Sequence, residues 1–190
     1  MPFAFVMLLI AGRRRFPLSN VSYLLIMVWL TLHTVAAHYT YANVPAGLWL
    51  DQWFGFERNH FDRIVHFSFG LLLTWPLAEV FHRRCGIGRR LLPFMAIITV
   101  LGLSAFWEMI EAWASQLSHP AFEQLLIGHQ GDIWDAQRDM AAAFYGSLLC
   151  IVILAAAGKL RDPNGHRSAP QSFPSDIDPP TIVEANGGRA

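Results

Sequence analysis

Four long apolar stretches, Leu18 to Ala37, Ile64 to Phe81, Leu91 to Ala114 and Ile133 to Ala157, organise the chain. Each is close to the roughly 20 residues that a helix needs to cross the hydrocarbon of a bilayer. The pattern predicts an all-α fold, a polytopic transmembrane helical bundle of four spans. A leading run, Pro2 to Gly12, is too short to span, and arginines follow it, whereas a secretory signal carries its basic residues in front. It reads as a short interfacial or re-entrant segment. Between the first two spans, Tyr39 to Phe61 holds Pro45, Gly47 and four aromatic residues from Trp49 to Phe56. That mixture predicts an amphipathic piece lying along the surface, placed to roof whatever lies beneath it.

Composition agrees with the pattern. Of 190 residues 54% are hydrophobic and 15% charged, with zero formal net charge, too apolar a balance for an ordinary soluble domain. Membrane lipids are the expected surroundings, and no nucleic-acid partner is expected. Arg13, Arg14 and Arg15 precede the first span, Arg83, Arg84, Arg89 and Arg90 separate the second from the third, and Lys159, Arg161 and Arg167 follow the fourth. Loops rich in Lys and Arg stay in the cytoplasm, so a bacterial inner-membrane protein with both termini cytoplasmic is expected. Cys85 then falls near the reducing side and Cys150 within the last span, a placement that argues against a disulfide. Residues 1–160 form the expected membrane domain. Arg161 to Ala190, dense in Pro, Gly, Ser and Asp without apolar periodicity, reads as a disordered cytoplasmic tail.

This topology gathers acids and bases that are distant in sequence. His38, His60, Asp62, Arg63, His66, Glu108, Glu111, Asp132, Asp135 and Asp139 all fall near the outer ends of the spans, whereas Glu79 is the exception at the inner side. Ionisable groups at membrane depth are costly and mark functional sites by default. Asp135 and Asp139 follow Asp132 by three and seven residues, which keeps the three within one helical stripe. Glu108 and Glu111 share a face, as do Asp62 and His66. If these faces meet, carboxylates outnumber Arg63, and the excess charge calls for protons, a bound cation or a cationic ligand.

Plainer roles exist for the same residues. Asp132 serves as a helix N-cap in one reading, and Asp135 and Asp139 as structural partners of Arg138 or Arg63 in another. His60 and His66 also fit an interface, and Trp49, Trp53, Trp107, Trp113 and Trp134 fit an aromatic belt. His33 carries no assigned role.

The motifs carry a resemblance. "HYTYANVPAGLW", "WFGFERNHFDRIVHF" and "GHQGDIWDAQRDM" look like the YjdF-type family of uncharacterised bacterial inner-membrane proteins, over roughly Thr34 to Leu154. "FDRIVHFSFGLLL", "SAFWEMIEAW" and "GDIWDAQRDMAAAFYG" more distantly resemble the VanZ-like membrane proteins. There Arg63 replaces the usual Lys, Glu111 the usual Gln and Asp139 the usual Asn, so this chain is the more acidic. Neither resemblance implies a settled reaction, and glycopeptide resistance does not transfer.

Three functions stay open. In the first, a divalent metal (Mg, Mn, Ca or Zn) held among His66, Glu108, Glu111, Asp135 and Asp139 assists hydrolysis or transfer on an envelope lipid or lipid-linked substrate. Asp62, Arg63, Glu108 and Asp135 are its expected catalytic residues, Arg63 being suited to hold a phosphate. In the second, the pocket binds a polar headgroup without chemistry, as an envelope accessory. In the third, the protein moves a cation or proton. No P-loop, Gly-x-Ser-x-Gly, His-Glu-x-x-His or dinucleotide fingerprint is present.

Overall fold

A computed structural model describes residues 17–56, 58–117 and 132–158. The leading apolar run, its arginines, Lys159 and the tail lie outside the described residues, as does the connection from residue 118 to Gly131. Five helices are present among the described residues: α1 (Asn20–His38), α2 (Pro45–Phe54), α3 (Phe61–Cys85), α4 (Leu92–Leu117) and α5 (Asp135–Ala156). All but α2 are long and apolar enough to cross a membrane. The protein is an all-helical bundle of membrane helices, as the apolar periodicity predicts.

Helix α3 is the hub, packing against α1, α4 and α5. Its tightest neighbour is α5, which runs parallel to it: Thr74 Oγ1 donates to Ser147 Oγ at 2.8 Å, and Gly70 and Gly146 leave no room for a side chain between the two backbones. Small residues at a crossing let membrane helices approach closely, where dispersion and interhelical hydrogen bonds replace the hydrophobic drive. The first turns of α3 and α5, which carry the acids, are thereby brought side by side.

Two polar clips fix the remaining elements. At one end, Ser19 caps α1, its Oγ accepting from the Ser22 amide. Glu79 accepts from the Ser19 amide at 2.8 Å and the Ser19 hydroxyl at 2.7 Å, and also pairs with Arg83. This explains the acid that stood apart in the sequence: Glu79 pins the start of α1 to the last turns of α3. At the opposite end, buried Asn59 donates to the carbonyls of Ala42 and Val44, both at 3.1 Å, and accepts from the Phe61 amide at 2.9 Å. Asn59 thus ties the turn after α1 to the start of α3, and Gly47 is the residue over which its amide fits.

The expected surface piece is the short helix α2. Pro45 opens it, where a missing amide costs nothing, and Gly55 closes it in the left-handed conformation. Trp49, Trp53 and Phe54 are exposed on it, and Trp113 and Trp134 are exposed at the same end of the bundle. Trp107 is not part of that belt, because its indole turns inward to Glu111.

Candidate functional site

Asp62 and His66, one turn apart on α3, face Asp139 on α5, and all three are buried. One ligand atom from each lies within 4.8 Å of the others. His66 Nε2 is 3.8 Å from Asp62 Oδ1 and 3.3 Å from Glu108 Oε1 of α4. His66 Nδ1 lies 3.4 Å from the hydroxyl of buried Ser104, one turn before Glu108. A proton on Nδ1, donated to Ser104, leaves the Nε2 lone pair directed into the acidic group, the form in which imidazole binds a metal.

Two oxygens in this chamber are orphaned. Asp139 Oδ1 and Glu108 Oε1 are buried and accept no hydrogen bond. Asp139 is 1% exposed, so solvent does not satisfy it either. Buried acceptors without partners are costly, and such exceptions point to an ion or ligand that completes them. Asp62, His66 and Asp139 offer ligand atoms close enough together that one cation could be shared among them.

Beside the chamber lies an arginine bridge. Arg58 contacts Asp132 Oδ2 at 3.1 Å and Asp135 Oδ1 at 2.7 Å; Arg63 contacts the same two oxygens at 2.7 and 3.3 Å. Arg138 also pairs with Asp132. Asp132 is not the N-cap of α5, a position held by Trp134. It lies in the preceding turn, where its carboxylate accepts from the Trp134 amide at 3.0 Å. Although partial burial raises the Asp132 carboxyl, the Trp134 amide and the guanidiniums of Arg63 and Arg138 hold it down at about 2.

The site residues expected from sequence therefore separate into groups. Asp62, His66, Glu108 and Asp139 meet in one chamber, and Arg63 stands beside it, its Nε 3.9 Å from Asp139 Oδ1. Asp135 is engaged by both arginines, and Glu111 accepts from Trp107 Nε1 at 2.6 Å, so neither joins the three-residue cluster. His38 stands apart, its ring against Tyr39. His60 packs on Phe56 and lies 3.4 Å from Arg63; burial, then the charges of Arg63 and Arg58, hold its imidazole below the ordinary value.

Two features escaped the sequence reading. Arg58, in an aromatic segment before α3, completes the bridge; its spacing of five from Arg63 across the Asn59 clip is the only signal. His33 meets Tyr41, whose hydroxyl lies 2.9 Å from Nδ1, and the imidazole packs between Trp29 and Trp107. Thr40 and Tyr41 adopt left-handed φ values of 55° and 53°, a conformation costing of order 1–3 kcal/mol per residue that packing must offset. It turns Tyr41 inward against Ala36, Val44, Phe61 and Val65. Burial, then the carboxylates of Asp62 and Glu111, push the Tyr41 phenol above its ordinary value and keep it protonated.

Comparison with known proteins agrees with this membrane architecture. Residues 1–159 match the family model described as "Predicted membrane protein (DUF2238)". The chain is 37% identical over 151 residues to "Inner membrane protein YjdF" of Escherichia coli (strain K12), covering 79% of this chain and 72% of that relative. No solved structure matches the chain. The VanZ-like resemblance rests on its short motifs alone. The chain belongs to the DUF2238 family of predicted membrane proteins, the YjdF-type family that its motifs resemble.

Proposed function

We propose that this integral membrane protein holds a divalent cation at Asp62, His66 and Asp139, with Glu108 beside them, and uses it for hydrolysis or transfer on an envelope lipid or lipid-linked substrate. The observation that carries the reading is the orphaned, fully buried Asp139 Oδ1 within a group of mutually close ligand atoms. A cation there would satisfy Asp139, offset the carboxylates around His66, and supply a polarising centre that also activates water. Glu108, 3.3 Å from the imidazole, is the group placed to receive a proton from such a water. Oxygen-rich ligands with one imidazole suit Mn, Mg or Zn.

The location we propose is the bacterial inner membrane, with the chamber toward the outside and both termini cytoplasmic. Its supports are the E. coli relative's name and the arginines flanking the opposite ends of the helices. Transport of a cation or proton is the weaker reading. Among the described residues, the interval between the chamber and Glu79 is filled by the Gly70 and Gly146 contact and by the Thr74 to Ser147 hydrogen bond. Over that interval α3 and α5 carry no Asp, Glu, His, Lys or Arg.

Elemental analysis of the detergent-purified protein tests the metal. A near-stoichiometric divalent metal in the wild type, lost in Asp139→Asn but kept in Arg138→Gln, is the expected result. No metal in the wild type under metal-replete conditions sinks the reading and leaves a proton-sharing or headgroup-binding pocket.

A further inference from the structure

We infer that Arg63 and the cation chamber together form a phosphoryl-binding site, so that the ligand carries a phosphate or diphosphate group. This rests on the metal reading above and names the substrate class for it. The geometry that points there is a pair of complementary orphans. Arg63 Nε is a buried donor and Asp139 Oδ1 a buried acceptor, and neither has a hydrogen-bond partner, although they lie only 3.9 Å apart. That separation is too long for a hydrogen bond between them. A group filling the gap must accept from Arg63 and tolerate, on its other side, the cation that satisfies Asp139. An anionic oxygen bound to the cation does both.

Pairing, accessibility and shape select phosphate among the anions. At the bridge, three guanidiniums (Arg58, Arg63 and Arg138) face Asp132 and Asp135, and of the three Arg63 also approaches Asp139. Arg58 and Arg138 already serve those carboxylates, so Arg63 can turn part of its fork to a ligand without leaving a buried acid unpaired. The Arg63 side chain is 21% exposed, against 1% for Asp139, so of the two the arginine is the one accessible to an entering ligand. A multiply charged tetrahedral group bridges a guanidinium fork and a cation better than a carboxylate, which has fewer oxygens to share. The exposed Trp49, Trp53, Trp113 and Trp134 mark this end of the bundle as the headgroup level, where lipid phosphate is the abundant anion.

The test uses the full chain in dodecyl maltoside, which contains no phosphorus, loaded with Mn2+. Phosphorus relaxation is read for inorganic phosphate in one arm and for phosphatidic acid in mixed micelles in the other. The expected result is Mn2+-dependent line broadening that weakens on the order of tenfold in Arg63→Gln, with Mn2+ occupancy unchanged and with Arg90→Gln, exposed at the opposite end of the bundle, like the wild type. Arg63→Lys, which keeps the charge and loses the fork, serves where Arg63→Gln does not fold, and should fall between. Broadening of phosphatidic acid alone identifies a lipid headgroup as the source; equal broadening of inorganic phosphate identifies a soluble phosphate. Full Mn2+ occupancy with neither signal broadened overturns the phosphoryl site and spares the metal site. A wild type that takes up no Mn2+ overturns both.

Discussion

Gly70 and Gly146 meet backbone to backbone: a Cβ on Gly70 would lie 1.9 Å from the Ala143 carbonyl oxygen, and one on Gly146 2.0 Å from that of Phe67. Neither obstacle is a side chain that can swing away, so a methyl at either position must push α3 and α5 apart. Asp139 lies two turns before Gly146 on the same face of α5, and His66 one turn before Gly70 on α3. The contact that holds the bundle together thus also sets the width of the acid chamber.

Gly146→Ala is expected to destabilise the protein by about 1–3 kcal/mol, the usual range for overpacking, and to weaken Mn2+ binding at the distant chamber. Thermal unfolding in detergent and Mn2+ titration check the two effects. Gly102→Ala, on a helix position with open space around it, should change neither.

Arg58 and Arg138 should differ sharply in worth. Arg58 is 13% exposed and bridges Asp132 and Asp135, so Arg58→Ala leaves the buried Asp135 carboxylate short of a partner and should cost about 3–5 kcal/mol. Arg138 is 53% exposed on the same Asp132, and Arg138→Ala should cost at most about 1 kcal/mol. Equal midpoints for the two variants would refute the bridge as drawn.

Acid should expose the role of Asp132. Its folded value, about 2, lies below the ordinary 3.8, so the stability it contributes is present above the ordinary value and is lost as pH falls through the folded one. The gap between wild-type and Asp132→Asn melting temperatures is expected to be constant above about pH 5 and to close toward about pH 2. A gap that instead closed between neutral pH and pH 5 would assign the linkage to another group.

Orientation is open to a direct check. Cys85 is exposed at the end of α3 opposite the chamber, whereas Cys150 is buried. An impermeant maleimide should leave Cys85 unlabelled in intact spheroplasts and label it after permeabilisation. A cysteine placed at exposed Gln52 of α2, in a Cys85→Ser background, should react in intact spheroplasts. The reverse pattern would turn the chamber toward the cytoplasm.

The spans were legible because membrane helices must be continuously apolar, and their observed ends fall within a few residues of the expected ones. Convergence of Asp62, His66, Glu108 and Asp139 was legible too, since an arginine-based topology puts their helix ends together and helical spacing fixes their faces. The division of labour among the acids was not. Asp135 and Asp139 share a stripe, yet Arg58 claims the first, and an arginine in an irregular segment gives no periodic clue to where it reaches. Asp132 belonged to the same stripe only if α5 began earlier than it does. The left-handed turn at Thr40 and Tyr41 had no signal at all, because neither residue is one that favours that conformation.

The ligand set is tested most directly by pulsed electron paramagnetic resonance on the Mn2+-loaded protein. The structure leads us to expect one nitrogen coupling from a single imidazole, absent in His66→Gln with Mn2+ still bound more weakly through Asp62 and Asp139. A signal from the loaded wild type without nitrogen coupling, or one unchanged in His66→Gln, would contradict a cation held at Asp62, His66 and Asp139.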